Sequence, residues 1–279
     1  MDQAWPLVDV IMPTWNNRDY LEPCLRSLFR EQEGNQIFRL WIVNNGEPGS
    51  CDWANFPGTT ILEPGENLGW TRALATAMPF CTAPIVCFMN DDIFIPPSSR
   101  GWMNRLLRHF DDERVAGVGP ALTERNGPQS IFTQEPDLVD ARILIGCCKL
   151  LWREALEEVG GVDVSWFTAD DLDLSIRLRN AGYTLVVDKR ELVYHHGGVT
   201  GAKVFGSLYN TDGWRGSINS KWVYDRMVAN HGWHKLNELT LPNPPAYVPP
   251  LDEHAVMGMG TDMHTDTETP IADAASIAT

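Results

Sequence analysis

The sequence predicts an α/β fold in which a parallel β-sheet is flanked by helices on both faces. Short apolar, β-branched segments alternate with segments whose apolar residues recur at helical spacing, which is typical of consecutive strand–helix–strand units. Of the 279 residues, 43% are hydrophobic and 21% are charged, so the chain is able to fill a core. Three predicted strands also end directly in polar residues, and ligands bind beyond the carboxyl ends of strands in such sheets.

The first half of the chain contains the most regular part of this pattern. "LVDVIMPT" (7–14) is apolar and β-branched and ends at Pro13, so it predicts a strand. Leucines at helical spacing then predict a helix over residues 19–32. The same reasoning predicts the remaining elements of this half, which are strands at 38–46, 59–63 and 84–90 and a helix at 69–78.

The second half is less regular. The segment 141–161 predicts a strand that runs into a helix closed by Gly160 and Gly161, and "TLVVD" and "ELVYHHGG" predict a pair of strands. The other predicted elements are helices at 101–110, 168–183 and 213–236 and a strand at 114–122. Residues 242–279 are proline-rich and then acidic, which predicts a disordered tail.

Charge and hydropathy limit the partners and the location that we expect. The net charge of −15 repels polyanions, which argues against nucleic acid as the main partner but does not exclude it. No apolar run approaches the roughly 20 residues that span a bilayer, and the start lacks the pattern of a signal peptide. Six cysteines without a CxxC pair indicate reduced, structural thiols. We therefore expect a cytoplasmic protein, with peripheral attachment to a membrane left open.

Two adjacent carboxylates end the predicted strand at 84–90. Asn90, Asp91 and Asp92 follow an apolar run directly, and two neighbouring carboxylates at such a position cost solvation and repel each other. They either cap the turn into the next element or bind a cation. Carboxylate oxygens without a Cys/His cluster nearby favour Mg²⁺ or Mn²⁺ over zinc.

A second acidic group opens the helix predicted at 168–183. Asp170, Asp171 and Asp173 interact favourably with a helix N-terminus, but capping needs fewer than three carboxylates. One of them is therefore a candidate general base. His195 and His196 follow a predicted strand, and such a pair is more often structural. It becomes a candidate metal ligand only if the fold brings it to the carboxylates.

The order of six blocks resembles that of family 2 glycosyltransferases, rhamnosyltransferase-like members in particular. These blocks span roughly residues 7–200 and read "VDVIMPTWNN", "WIVNNG", "ENLGW", "CFMNDD", "GCCKLLWREALEEVGGVDVSWFTADDLDLSIRLRNAGY" and "VYHHGG". The resemblance implies the GT-A (Rossmann-like) fold, a mixed and mainly parallel sheet flanked by helices. It places a catalytic domain at 1–205, with a donor half over about 1–95 and an acceptor half over about 96–205. A helical C-terminal extension (206–241) would follow.

The resemblance implies that the strand tips bind a nucleoside-diphosphate sugar. Pro13, Thr14 and Asn16 match the family's first nucleotide-contacting turn. Asn44 stands where many relatives carry an aspartate that contacts the base, so a UDP- or a dTDP-linked donor is expected without a choice between them.

The same block order assigns a turn to the donor site. Asn67 and Gly69 match the family's NxG turn. The residues downstream of that turn depart from the family pattern, since Leu74 and Ala77 replace a polar and a glycine position. We expect Arg72 to compensate by reaching the diphosphate.

The resemblance also assigns the metal and the base. Asn90, Asp91 and Asp92 match the DxD motif, so Asp92 is expected to bind Mn²⁺ or Mg²⁺ together with the donor diphosphate, and His195 matches a histidine that completes the metal shell in some members. The pair at 170–171 stands where the family has Glu-Asp. Asp171 would therefore be the catalytic base of an inverting transfer.

The acceptor is expected to be a hydroxyl group, on a glycan in the first instance. Gly146, Trp166 and Asp170 are assigned to its site, with Trp166 as a surface for stacking on a sugar. Two alternatives stay open, an inactive sugar-binding or scaffold protein on the same fold and a transferase for another acceptor such as a modified nucleobase. A nucleotidyltransferase is disfavoured because "PTWNNRD", after the first strand, contains no glycine.

Overall fold

The computed structural model describes residues 7–30, 37–123, 128–132, 136–200, 203 and 221–232. The chain divides into two units, Met1–Val248 and Pro249–Thr279. The second unit lies outside the described residues, as does the whole tail predicted at 242–279. The elements below therefore belong to the first unit.

Nine strands and six helices make up the described fold. The strands are β1 (Val8–Thr14), β2 (Phe38–Asn44), β3 (Thr59–Leu62), β4 (Ile85–Met89), β5 (Ile93–Phe94), β6 (Val115–Leu122), β7 (Leu138–Asp140), β8 (Cys148–Trp152) and β9 (Thr184–His195). The helices are α1 (Arg18–Arg30), α2 (Gly69–Ala77), α3 (Trp102–Leu107), α4 (Arg153–Glu158), α5 (Asp170–Asn180) and α6 (Lys221–His231). Short 3₁₀ turns lie at Met78–Phe80, Pro97–Ser99 and Arg108–Asp111.

The strands form one mixed sheet in the order β3-β2-β1-β4-β8-β6-β9-β5, with β7 also paired to β9. Strands β1 to β4, β6 and β9 run in one direction, whereas β5, β7 and β8 run in the other. The predicted class, a mixed and mainly parallel sheet with flanking helices, is confirmed. As a result, the carboxyl ends of β1, β2, β4, β6 and β9 and the amino end of β8 share one edge of the sheet.

Successive side chains of the central strands point to opposite faces of the sheet, which explains why helices cover both faces. All seven residues of β1 are buried, and four of its apolar side chains divide between two core clusters. Val10 and Met12 pack with the leucines of α1, while Ile11 packs with Leu74 of α2 on the opposite face. Fully burying one such side chain contributes about 1.5–3 kcal/mol. The two clusters therefore fix the strands between helical layers and leave the polar strand tips at the edge.

The pair of strands predicted near residues 184–198 is instead a single strand, β9. The polar run "DKRE" looks like a turn in the sequence, yet Asp188 and Glu191 within it are buried. Their charges are paired with Arg190 and Arg105 respectively, so the strand continues through them. Its pairing with β6 shifts register between Pro120 and Ala121, where the irregularity is accommodated.

Within the described residues, the helix predicted at 213–236 is found as α6, and the described part of the C-terminal extension is therefore helical; residues 213–220 and 233–236 lie outside the described residues. Two short strands, β5 and β7, were not predicted. All six cysteines are buried and free of disulfides. No helix within the described ranges has the length and apolar character that crossing a membrane requires.

Candidate active site

The carboxyl end of β1 is tied to the strand-tip carboxylates of β4. Thr14 ends β1, and its Oγ1 donates a 2.6 Å hydrogen bond to Oδ2 of Asp91 inside the protein. Pro13 lies beside Val43 of β2. These contacts bring the first predicted nucleotide-contacting residues and the acidic motif to one place.

The turns that follow β1 and β2 interlock through Asn16 and Gly46. Asn16 has a left-handed backbone (φ 46°), and its Oδ1 accepts a hydrogen bond from the backbone of Glu47 at 3.1 Å. A Cβ on Gly46 would lie 2.3 Å from that Oδ1 and 2.9 Å from the Asn16 nitrogen. Only glycine fits there, because any side chain would collide with backbone.

Asn44 organises the turn and holds a carboxylate that the prediction missed. Its buried amide nitrogen lies 3.0 Å from both carboxylate oxygens of Glu63 and also donates to the carbonyl of Glu47. Its oxygen accepts the backbone N–H of Gly46. Glu63 is exposed directly after β3. Its place at a strand tip was the signal that could have revealed it.

The predicted NxG turn forms the entry to α2. Oδ1 of Asn67 accepts the Gly69 N–H at 2.9 Å, and Gly69 has φ 70°. Asn45, which was not predicted, donates to the Gly69 carbonyl and so ties this turn to β2. Arg72 does not join the strand tips. Its guanidinium lies 3.4 Å from Glu66, and both side chains are more than half exposed, so the expected contact with the diphosphate gains no support.

Asp92 and His195 form the part of the site that fits a cation. The pairing of Ile93 with His195 brings the histidine to the strand tip, where its Nε2 lies 3.1 Å from Oδ1 of Asp92. That Oδ1 is buried, and no donor in the described part of the chain reaches it with hydrogen-bond geometry. Nε2 also lies 3.1 Å from Nδ2 of Asn90, an atom that can only donate. A neutral imidazole and a carboxylate are both ligands of divalent cations, so this pair of side chains suits one.

The electrostatics of Asp91 point the same way. The pKa of Asp91 is raised from 3.8 to about 6, chiefly by burial and to a lesser extent by the charge of Asp92, while the hydrogen bond from Thr14 opposes the rise. No group of three His, Cys, Asp or Glu side chains suited to a metal occurs among the residues that the structure describes. A cation here would therefore take its remaining ligands from phosphate or water, as Mg²⁺ usually does.

The second acidic group lies at the start of α5. Oδ2 of Asp171 accepts the Gly146 N–H at 3.0 Å, and Oδ1 accepts the N–H of Leu172 at 2.9 Å. Oδ2 of Asp170 accepts a 3.1 Å hydrogen bond from the indole of Trp70. The Asp171 carboxylate is thus held in a fixed direction by backbone donors.

The pKa of Asp170 is raised to about 6, first by desolvation and then by the charge of Asp171. The nearby ammonium of Lys149 opposes the shift, as does the hydrogen bond from Trp70. Lys149 is itself almost fully buried in β8. The carboxyl of Asp170 therefore changes its protonation state near pH 6.

One short segment joins the two acidic groups. The carbonyl of Cys147 accepts a 2.8 Å hydrogen bond from the Asn90 nitrogen, and the adjacent Gly146 donates to Asp171. The DxD-like motif and the helix N-terminus therefore border the same two residues. This brings together the residues that the sequence assigned to metal, base and acceptor.

Trp166 requires a correction. It is only 2% exposed and packs in a core cluster with residues of α6, so it cannot stack on an acceptor sugar at the surface. Its neighbour Phe167 is 50% exposed. Trp70 and Lys203 were not predicted as site residues. Lys203 donates a 2.8 Å hydrogen bond to Oδ1 of Asn17, which is buried beside the β1 turn.

Comparison with known proteins gives a consistent picture. Residues 9–160 match the model of a family described as glycosyl transferase family 2. The chain is 27% identical over 208 residues to the pre-mycofactocin glycosyltransferase of Mycobacterium tuberculosis (strain ATCC 25618 / H37Rv). That match covers 67% of this chain but 42% of the relative, so the chain spans well under half the length of this relative.

Solved structures share the fold. The mannosyltransferase PcManGT from Pyrobaculum calidifontis, in complex with GDP-Man and Mn²⁺, aligns with TM-score 0.59 and 22% identity over 73% of this chain and 61% of its own. GalNAc-T7, with UDP, GalNAc and Mn²⁺, aligns with TM-score 0.61 and 10% identity over 85% of this chain and 50% of its own. The predicted GT-A fold is confirmed by these alignments.

Proposed function

The chain belongs to glycosyl transferase family 2, and from this membership we propose that it transfers a sugar from a nucleoside-diphosphate sugar to an acceptor hydroxyl. The observation that carries the proposal is the position of two acidic groups, Asp91–Asp92 and Asp170–Asp171, on either side of the segment Gly146–Cys147. One group suits a diphosphate with its cation, and the other suits a hydroxyl that must lose a proton. The complexes of PcManGT with GDP-Man and of GalNAc-T7 with UDP support a nucleotide donor.

The donor half of the site is assigned to residues 1–95, with the nucleotide along the tips of β1, β2 and β3. In this proposal Pro13, Thr14 and Asn16 line the nucleotide, while the turn at Asn67 and Gly69 borders the sugar diphosphate. Glu63, rather than Asn44, presents the carboxylate to the base, because the Asn44 amide is already engaged in holding Glu63. Uracil and thymine both carry an N3–H that such a carboxylate accepts, so UDP- and dTDP-sugars remain the expected donors.

Asp92 and His195 would hold Mn²⁺ or Mg²⁺, with Asp91 kept in place by Thr14. A bound divalent cation neutralises the charge that develops on the departing nucleoside diphosphate. The buried Oδ1 of Asp92, which accepts no hydrogen bond from a described residue and lies 3.1 Å from Nε2 of His195, supports the assignment. The presence of Mn²⁺ in PcManGT and GalNAc-T7 also supports it, without a choice between the two metals.

Asp171 is the proposed base. Its carboxylate takes the proton of the acceptor hydroxyl as the hydroxyl oxygen attacks the anomeric carbon from the face opposite the diphosphate. The bond from that carbon to the diphosphate breaks, and its electron pair leaves with the phosphate oxygen. One displacement inverts the configuration. The backbone donors at Gly146 and Leu172 hold the carboxylate in place for this step, which removes an orientational cost.

The acceptor half is assigned to residues 96–205. Gly146 and Asp170 border the acceptor hydroxyl in this proposal, and the exposed ring of Phe167 replaces Trp166 as the surface on which a sugar could stack. A glycan hydroxyl is the proposed acceptor. A modified nucleobase is the second candidate, which the acidic balance of the chain disfavours.

The proposal is tested by incubating the purified chain and Mn²⁺ with UDP-glucose, UDP-galactose, dTDP-rhamnose and GDP-mannose and by measuring release of the nucleoside diphosphate. We expect turnover of at least one donor. Asp171→Asn should lower that turnover by about 10²–10⁴-fold with donor affinity retained, because only proton transfer is lost. Asp92→Ala should instead weaken donor binding that depends on Mn²⁺.

The control for these variants is Asp225→Asn, an exposed position on α6. Equal turnover by wild type and Asp171→Asn would remove the base assignment. Release from none of the donors, together with retained binding of a glycan, would instead favour the inactive sugar-binding protein.

A further inference from the structure

The residue that precedes the two carboxylates of α5 has an unfavourable backbone conformation. Ala169 has φ 64° and ψ 18°, and it is one of two non-glycine residues with positive φ among those described. A left-handed alanine brings its Cβ close to the following carbonyl, so it persists only where its surroundings impose it. Its carbonyl accepts the Asp173 N–H at 3.1 Å and so begins the helix. The direction of Asp170 and Asp171 therefore depends on this strained residue.

Helix α6 covers this strained residue. One buried cluster contains Trp166, Ala169 and Ile176 together with Val223 and Met227 of α6. Met227 is completely buried, and Ala169 is 4% exposed. The apolar face of α6 thus packs where the backbone turns into α5.

Polar contacts also hold α6 against α5. Nε2 of His231 lies 2.8 Å from Oδ1 of Asp173, and both side chains are buried. The other oxygen of Asp173 accepts a 2.8 Å hydrogen bond from Arg177 one turn along α5. The guanidinium of Arg226, on α6, stacks 4.5 Å from the ring of Trp166.

The opposite side of the segment is held by α2. Thr71 donates a 3.0 Å hydrogen bond to the carbonyl of Trp166, and Trp70 donates to Asp170. Residues 166–170 are therefore fixed between a helix of the donor half and α6. Since α6 lies outside residues 9–160, the part of the chain that matches the family model does not supply this second support.

We propose that Met227 and Val223 are positioning residues which keep Ala169 left-handed and thereby direct Asp170 and Asp171 at the acceptor. This inference rests on the proposed function, because it concerns the same carboxylates. Neither side chain touches substrate. They hold the backbone of Ala169 in one conformation, and a small displacement of a reacting group lowers the reaction rate.

The test compares Met227→Ala with Met227→Leu, using the donor that wild type turns over fastest in the panel above. Met227→Ala should lower kcat by about 10-fold or more while the donor KM changes by less than about 2-fold, because the donor half is untouched. Met227→Leu keeps the packed volume and should retain wild-type kcat. Adding Ala169→Gly to Met227→Ala should restore most of the loss, because glycine adopts φ 64° without support.

Hydrogen exchange provides a readout that needs no substrate. The amide of Asp173 is bonded to the Ala169 carbonyl, so Met227→Ala should speed exchange in the peptide covering 169–176, and Ala169→Gly should slow it again. Val223→Ala should show the same changes. Asp225→Ala, which alters the exposed face of α6, should leave exchange and kcat as in wild type.

The inference is overturned if Met227→Ala leaves kcat and the exchange of this peptide unchanged, or if Ala169→Gly rescues neither. The first result would mean that Ala169 needs no support from α6, and the second that α6 stabilises the fold without directing the turn. A wild-type chain that turns over no donor, yet shows the expected exchange changes, would count against the proposed function and not against this holding role.

Discussion

Asp91 and Asp170 both bear a pKa near 6, and in each case burial is the largest cause. They differ in what opposes the shift. The hydrogen bond from the Thr14 hydroxyl opposes the rise in the pKa of Asp91, and the ammonium of Lys149 opposes the rise in the pKa of Asp170. A buried carboxylate without a full set of partners lowers stability, so such groups are retained where function needs them. Each of the two carboxylates is therefore a candidate member of a functional site.

The raised pKa of Asp170 has a direct consequence for stability. Between about pH 4 and 6 the native carboxyl keeps a proton that the unfolded chain has released, so the native state gains stability as the pH falls through this window. Above about pH 6 the ionised form costs stability. Asp170→Asn should therefore stabilise the protein at pH 8 by up to about 2 kcal/mol and lose this advantage near pH 4.

Urea denaturation of Asp170→Asn at both pH values measures this effect. Asp225→Asn, on the exposed face of α6, is the control for removing a carboxylate that is not buried. A destabilised Asp170→Asn protein at pH 8 would contradict the prediction, because it would mean that ionised Asp170 contributes more through Trp70 and Lys149 than its burial costs.

Moving the carboxylate from residue 63 to residue 44 tests whether it contacts the base of the donor. Glu63→Gln should raise the donor KM about 5-fold, since a neutral acceptor forms a weaker bond to the base N–H than a carboxylate does. The double variant Asn44→Asp/Glu63→Gln moves the carboxylate to the β2 tip and should restore much of the affinity. Steady-state kinetics with the best donor measure both. An unchanged KM in Glu63→Gln would separate Glu63 from the base.

At this scale the sequence named motif residues, whose roles stay predictions, but could not describe the packing around them. Asp92, His195, Asp171 and Gly146 were named because short motifs carry their chemistry in residue type and order. Trp166 could not be judged in that way, because its burial depends on α6, a helix more than 50 residues away in the chain.

Among the elements, the turns after β1 and β2 behave as one unit. Gly46→Ala would place a Cβ against the Asn16 side chain and backbone, so one of the two turns must move. We expect a loss of about 1–3 kcal/mol in stability, as is usual for overpacking, and a higher donor KM. Denaturation and donor kinetics measure these two effects.

Gly146→Ala provides the steric comparison, because the nearest atoms to its Cβ would lie at 3.7 Å, an ordinary contact. We expect the stability of this variant to stay within about 0.5 kcal/mol of wild type. Equal losses from Gly46→Ala and Gly146→Ala would show that the interlock of the two turns is not what makes Gly46 necessary.

Strand β9 illustrates where element prediction fails. Alternation and apolar runs identify β1, β2 and β4 because these strands are buried on both faces. A strand that carries Asp188 and Glu191 into the core contradicts that pattern, and their pairing with cationic side chains makes it possible. Arg190 is a local partner of Asp188, but Glu191 meets Arg105 across 86 residues of sequence, and no local window of sequence contains that pair.

Over the whole molecule, the alternation of elements was sufficient to predict a sheet with helices on both faces. The insertion of the antiparallel β8 between β4 and β6 was not predictable from alternation, because it depends on pairing between segments about 60 residues apart. That insertion matters for the proposed site. It places Gly146 and Cys147, directly before β8, between the two acidic groups.

The cation site gives a prediction for the whole molecule. In the described part of the chain only Asp92 and His195 converge at this position, so the protein offers fewer ligands than a divalent cation needs. Binding of metal and nucleotide should therefore be coupled, since the diphosphate supplies the missing oxygens. Ligands that bind the folded state raise the melting temperature in proportion to their binding free energy.

When MnCl₂ and UDP are each near 100-fold above their dissociation constants, the two together should raise the melting temperature by about 5 °C or more. MnCl₂ alone and UDP alone should each shift it by less than about 1 °C. Asp92→Ala should abolish the additional shift, and Asp225→Asn should keep it. The measurement is a thermal scan with dTDP and GDP as alternatives to UDP, which also ranks the bases. A full shift with MnCl₂ alone would mean that the protein supplies a complete metal shell. In that case the diphosphate would not be a ligand, and the reason for two carboxylates at the tip of β4 would have to be sought elsewhere.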